Sequence, residues 1–426
     1  MPRLRIGKPL LPLLAVYYHF RRWRHDGTWV PPRRAPVVNW SSRILHLVYR
    51  IIRIYYLPYL ICFSEYGMLK LINRRTLAVV ASITGMLLVG ACDRADETAT
   101  TSVETVATEM TLTGAGSSFA APIIKHWFEV YGAGQPDVSL RYDSVGSGAG
   151  IERFLAGDVD IGATDAPLQP DEVAQADGAV LQLPVTGGMI AIAYNLPNIQ
   201  GPLNLPRDVY PAIFLGEITR WDDPRIAAAN PGINLPGKAI QVVARRDASG
   251  TTFAFTNHLA AISEAWAAGP GVGKRIDWPG GAMEANGNEG VAQRIQVTEN
   301  AIGYVEAGFA ERLGLPLAWL ENRAGGLVHP NVETGRRGLA DGADTPPDAL
   351  TRTNPDPRGA RSYPIVTYTW ALIRADYDTP EQTSAVHDLV RWMLSDGQAG
   401  AESLYYVPLP ENLMQAALAA LDGFEH

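Results

Sequence analysis

The sequence predicts an α/β fold for the part of the chain that can build a core, from about residue 110 to the C-terminus. Three observations carry this. Short apolar runs alternate with amphipathic stretches, as in folds that lay helices on a mostly parallel sheet. Turns rich in Gly and Ser stand at three of the strand-to-helix junctions. The body of about 315 residues has no cysteine, so packing alone must hold it, and it is long enough for two domain-sized cores.

The chain before that body reads differently. Residues 1–67 carry eleven Lys and Arg against two acids, Asp26 and Glu65. Their apolar stretch, residues 43–63, is interrupted by Arg50, Arg53 and Pro58, which argues against a spanning helix. The expectation is an upstream extension from a start placed too early; a basic, membrane-associated extension is the rival. Residues 68–91 then follow the plan of a secretory signal peptide. MLKLINRR supplies three positive charges and TLAVVASITGMLLVGA a short apolar core. The small residues ending on Cys92 resemble the lipobox of bacterial lipoproteins, which implies lipidation of Cys92. Residues 93–109 are Asp, Glu, Thr, Ala and Ser with almost nothing to bury, and read as a flexible tether.

Within the body, strand-like runs fall at residues 110–113, 138–142, 159–163, 189–194, 240–244, 301–305 and 365–373. Residues 121–131 place Ile124, Trp127, Phe128 and Tyr131 on one helical face, and residues 252–266 do the same with Phe255, Leu259, Ile262 and Trp266. Residues 335–361, rich in Gly, Pro, Asp and Arg, read as a surface loop. After Cys92 there are 22 Lys and Arg against 42 Asp and Glu, a formal charge near −20. Such a body repels nucleic acid and anionic membrane. An anion would have to be held by local dipoles and one or two placed bases.

The three junctions suit that task. They are TGAGSSF at residues 113–119, SVGSGAG at residues 144–150, and RRDASGTT at residues 245–252. Each sets Ser or Thr at a helix N-terminus, where free N–H groups and the dipole favour an anion, while glycines let the backbone approach closely. Any one of them also reads as an ordinary cap or tight turn. Three at one sheet edge are harder to explain that way. Arg245 could give two parallel hydrogen bonds to an oxyanion. Asp165, at the end of an apolar run, fits an anion site only if the anion brings a proton. Phosphate near neutral pH has one to donate and sulfate has none, so a buried carboxylate selects between them.

In this order and at these intervals, TGAGSSF, GSGAG, DIGATDAPL, LGEITRWDDP, RRDASGTTFAFT and NAIGYVE resemble the phosphate-binding subunit of the high-affinity phosphate ABC transporter. The resemblance spans residues 112–409. It implies a two-lobed periplasmic-binding-protein-like fold of type II, with the ligand in the interlobe cleft and two crossover strands as hinge. One lobe would comprise residues 112–186 plus 362–426, and the other residues 187–361. Carried over by position, phosphate would contact Ser118 and Phe119 (through backbone N–H), Ser147, Asp165, Arg245, Ser249, Gly250 and Thr251, with Asp247 holding Arg245. The same resemblance implies a monomer that uses no cofactor and docks on permease subunits in the periplasm.

The competing readings are a binding protein for another tetrahedral oxyanion and a secreted phosphatase-like hydrolase. Against the hydrolase, no G-x-S-x-G elbow is present. The five histidines of the body are scattered without metal-ligand spacing, and His126 and His258 read as helix-surface residues.

Overall fold

The computed structural model describes residues 110–199, 201–341 and 350–424. The expected upstream extension, signal peptide, lipidated Cys92 and tether lie outside the described residues. Among the described residues no helix is long and apolar enough to cross a membrane.

The strands, in chain order, are β1 (Met110–Gly116), β2 (Val138–Ser144), β3 (Ile161–Thr164), β4 (Val180–Asn195), β5 (Asn204–Leu205), β6 (Gln241–Arg245), β7 (Met283–Ala285), β8 (Ala301–Glu306), β9 (Trp319–Glu321), β10 (Leu327–Val328) and β11 (Val366–Arg374). Eight of them form one sheet in the order β2-β1-β3-β11-β4-β8-β6-β7, and β10-β9-β5 form a small second one. At one side β1 runs parallel to both β2 and β3; at the other β6 runs parallel to β7 and β8. The middle strands pair antiparallel, β11 with β3 and β4, and β4 with β8.

The fold is mixed α/β, as expected, and β4 is its axis. From Val180 to Met189 it pairs with β11, apart from a bulge at Val185, and its last six residues, from Ile190 to Asn195, pair with β8. One strand therefore belongs to both halves of the sheet. It is buried from Leu183 to Tyr194, and its second half, from Met189 on, reads as an apolar run rather than an alternation.

Two expectations change. The single helix at residues 252–266 is two, Gly250–Ile262 and Glu264–Ala268. Ser263 between them is extended, and its hydroxyl accepts from Trp266 N–H. Residues 335–361 are not a surface loop throughout. They begin inside the helix Val332–Ala340, whose Leu339 is buried against Gly187 of β4. Further on, Leu350 O accepts from Trp370 Nε1 at 2.7 Å, and Asp356 pairs with Arg207 at 2.6 Å. The turn residues that suggested a loop give the segment its bends. Apolar and paired side chains tie it down.

Candidate functional site

The parallel strands on both sides of the sheet end at one place, and the three glycine-rich junctions meet there. Gly116 of β1 has φ +139°, and a Cβ on it would lie 2.0 Å from Ala163 O, so the backbone can pass β3 only as glycine. Ser117 Oγ then accepts from Ala120 N–H, the entry to the helix Ala121–Gly132. Gly146 precedes the helix Ser147–Leu155 at φ +89°. Of the three junctions only Ser249 caps with its hydroxyl in the expected way, accepting from Thr252 N–H at 3.0 Å. At the other two, Ser117 and Ser147 turn their hydroxyls toward an acid.

That acid is Asp165, at the end of β3 and buried. Its Oδ1 accepts from Ser117 Oγ at 2.5 Å and Thr369 Oγ1 at 2.6 Å, and its Oδ2 lies 3.4 Å from Ser147 Oγ. Burial pushes its carboxyl up to about 6, against the hydrogen bonds from Ser117 and Thr369, the charge of Arg245 and the bond from Ser147. Arg245 at the end of β6 is equally buried. Its Nε donates to Asp247 Oδ1 at 2.8 Å, Nη2 to Asp247 Oδ2, and Nη1 to Thr251 Oγ1 at 3.3 Å. Burial works to raise the Asp247 carboxyl, but the bonds and charge of Arg245 and the Gly287 N–H leave it below its ordinary value. The bidentate pair fixes the guanidinium plane and leaves one edge toward Thr251.

The two sides touch. Gly148 N–H donates to Ala248 O at 2.9 Å. A Cβ on Gly250 would lie 2.5 Å from Ser147 Oγ and 2.7 Å from Asp165 Cβ. Ser118, Phe119, Ser147, Asp165, Arg245, Ser249 and Thr251 are all buried. A cavity of about 840 Å³ opens beside them, lined by Ser118, Asp247 and Gly287, with Lys125, Arg246 and Arg275 at its wall. Phe119 ends the junction at residues 113–119 and is buried. Its ring packs on Gly188 and its carbonyl accepts from Tyr406 OH at 2.5 Å.

The family model described as PBP superfamily domain matches residues 97–397. The Pasteurella multocida protein called phosphate-binding protein PstS is 39% identical, over 72% of this chain and 88% of its own length. A Methanocaldococcus jannaschii protein of the same description is 36% identical, over 72% and 84%. The chain belongs to the phosphate-binding proteins of the PBP superfamily. Among solved structures, a high-affinity periplasmic phosphate-binding protein, PfluDING, bound with phosphate, superposes with a TM-score of 0.58 at 23% identity, covering 73% of this chain and 93% of that one. The ancestral soluble variant of the human phosphate binding protein gives 0.56 at 22%, over 72% and 93%. At these identities the structures establish the fold, that of this binding-protein family.

Several residues of the cluster escape a reading of the sequence. Ser117 and Thr369 supply the hydroxyls on Asp165. Asn288, in the first turn of the helix Gly287–Val297, joins Ser118 to Thr251. Asn288 follows β7 in the sequence EANGNEG, a fourth glycine-bearing junction, and that signal was there to be found. Thr369 lies inside an apolar strand and carries none. His258 corrects an expectation. It is fully buried rather than on the helix surface, with Nδ1 at 2.6 Å from Pro355 O and Nε2 at 2.8 Å from Tyr210 OH.

Proposed function

We propose that this protein captures inorganic phosphate outside the cytoplasmic membrane and delivers it to an ABC importer. The observation that carries the choice of anion is Asp165, a buried carboxylate set among donors that suit an oxyanion. A ligand beside it has to donate a proton, and phosphate can. Membership of a family whose relatives carry the name phosphate-binding protein supports the same reading.

In this reading phosphate is held by Ser118, Ser147, Arg245, Ser249 and Thr251, by the backbone N–H groups of Phe119 and Gly250, and by Asp165. Asp247 holds Arg245 in place. Residues 112–186 with 362–426 form one lobe and residues 187–361 the other, and the cleft shuts about β4 and β11. The protein acts as a monomer, makes no covalent bond to its ligand and uses no cofactor. Residues 68–91 direct export, Cys92 anchors the body by a lipid, and the closed form docks on permease subunits. Another tetrahedral oxyanion is the nearest alternative, and a hydrolase the more distant one.

Calorimetric titration with phosphate and sulfate tests this, after ligand is stripped by unfolding and refolding. The unsubstituted protein is expected to bind one phosphate and ignore sulfate. Asp165→Asn should lose at least about tenfold in phosphate affinity and gain sulfate. Silence toward both anions would sink the reading.

A further inference from the structure

We propose that Asn288 fixes the direction in which two hydroxyl protons point, and so makes the cleft demand bare oxygens on one side of its ligand. The inference rests on the phosphate reading and assigns Asn288 as a positioning residue behind Ser118 and Thr251.

The argument is one of donors and acceptors. A serine or threonine hydroxyl has one proton to give and two lone pairs with which to accept. Ser118 Oγ accepts from Asn288 backbone N–H at 3.1 Å and from Asn288 Nδ2 at 3.1 Å. Thr251 Oγ1 accepts from Asn288 Nδ2 at 3.0 Å and from Arg245 Nη1 at 3.3 Å. Both lone pairs of each oxygen are thereby engaged by groups that can only donate. Each O–H is left with its proton for whatever occupies the cleft. The amide cannot sit the other way round, because its Oδ1 accepts from Glu306 N–H at 2.8 Å, and a backbone N–H only donates. Asn288 is fully buried, so no water competes for these bonds.

The cleft then has two unlike sides. Around Asp165 the protein's hydroxyls give their protons to the carboxylate, and the ligand must supply one of its own. Around Asn288 the hydroxyl protons are turned outward, and the ligand must accept them. A partly protonated oxyanion presents both kinds of oxygen, and only in certain orientations. Asn288 therefore selects among the ways phosphate could sit in the cleft. It also ties Ser118, which follows β1, to Thr251, which follows β6, so the setting is completed only when the two sides meet.

A double-mutant cycle on phosphate affinity, read by calorimetry alongside thermal melts, tests the inference. Asn288→Ala and Ser118→Ala should each weaken binding by about 30-fold or more. Adding Asn288→Ala to Ser118→Ala should cost no more than about a further fivefold, because one acts largely through the other. A merely structural role predicts that the two factors multiply, and that result overturns the inference. If Asn288→Ala does not fold, Asn288→Asp keeps the shape and the acceptor for Glu306 N–H while removing the side-chain donors. A well-folded Asn288→Asp protein that binds phosphate within about threefold of the original also overturns it. Failure of the unsubstituted protein to bind phosphate removes the functional reading and this inference together; tight binding with multiplicative losses removes the inference alone.

Discussion

At the scale of the residue, Gly250 shows how little room the site allows. Its missing side chain is what lets the start of the helix Gly250–Ile262 lie against Ser147 and Asp165. That contact joins the two sides, so a methyl group there opposes closure and leaves an open form untouched. Gly250→Ala is expected to weaken phosphate binding by about 100-fold, about 3 kcal/mol, with the melting temperature of the phosphate-free protein changed by no more than a few degrees. Titration and a thermal melt of the same sample decide it. Asp165 and Arg245 were legible because Asp165 ends an apolar run and Arg245 opens a Ser/Gly turn suited to an anion. Ser117 and Thr369 were not, since a hydroxyl that serves a carboxylate across the sheet looks, in one dimension, like any other small polar residue.

At the scale of the element, residues 350–363 run as a strap fastened at several points. Pro355 O takes the Nδ1 proton of His258, which makes Nε2 the acceptor for Tyr210 OH. Asn322 Nδ2 donates to the carbonyls of Gly359, Ala360 and Ser362. Burial, opposed by the Pro355 carbonyl and the charge of Asp356, lowers His258 to about 4. The unfolded chain takes up its proton near 6.5, so the neutral ring stabilises the fold fully above that pH, and the stabilisation is lost as pH falls toward 4. Denaturant unfolding should accordingly show a loss of about 3 kcal/mol between pH 7 and pH 4 that is absent in His258→Asn. An identical slope in the variant would assign the loss to other groups. The strap could not be read from the chain, because its anchors are single residues spaced among Gly, Pro and Asp. Nor could the first half of β4, where Gln182, Pro184, Gly187 and Gly188 interrupt the apolar run. Those glycines are where other elements press closest, Leu339 on Gly187 and Phe119 on Gly188.

At the scale of the whole molecule, α/β architecture was readable from periodicity, and the order of the strands was not, because nothing local says that β11 lies between β3 and β4. With β4 common to both halves, neither half can lose its order alone. Calorimetric melting of the phosphate-free protein is expected to show one transition, and phosphate at a thousandfold excess over its Kd to stabilise it by about 4 kcal/mol. Two separate transitions would mean that the shared strand does not couple them.

The place of β11 also sets a timetable. A ribosome makes β1, β2, β3 and β4 early, yet β3 and β4 are joined only through β11, which begins at Val366. The partners of the later half, β4, β8, β6 and β7, are complete once Glu306 has emerged. The earlier half must wait, open down its middle, until almost the last of the chain has been made. A polypeptide whose central strand arrives so late cannot finish folding while it is still being made, and the seam between β3 and β4 is the last to close.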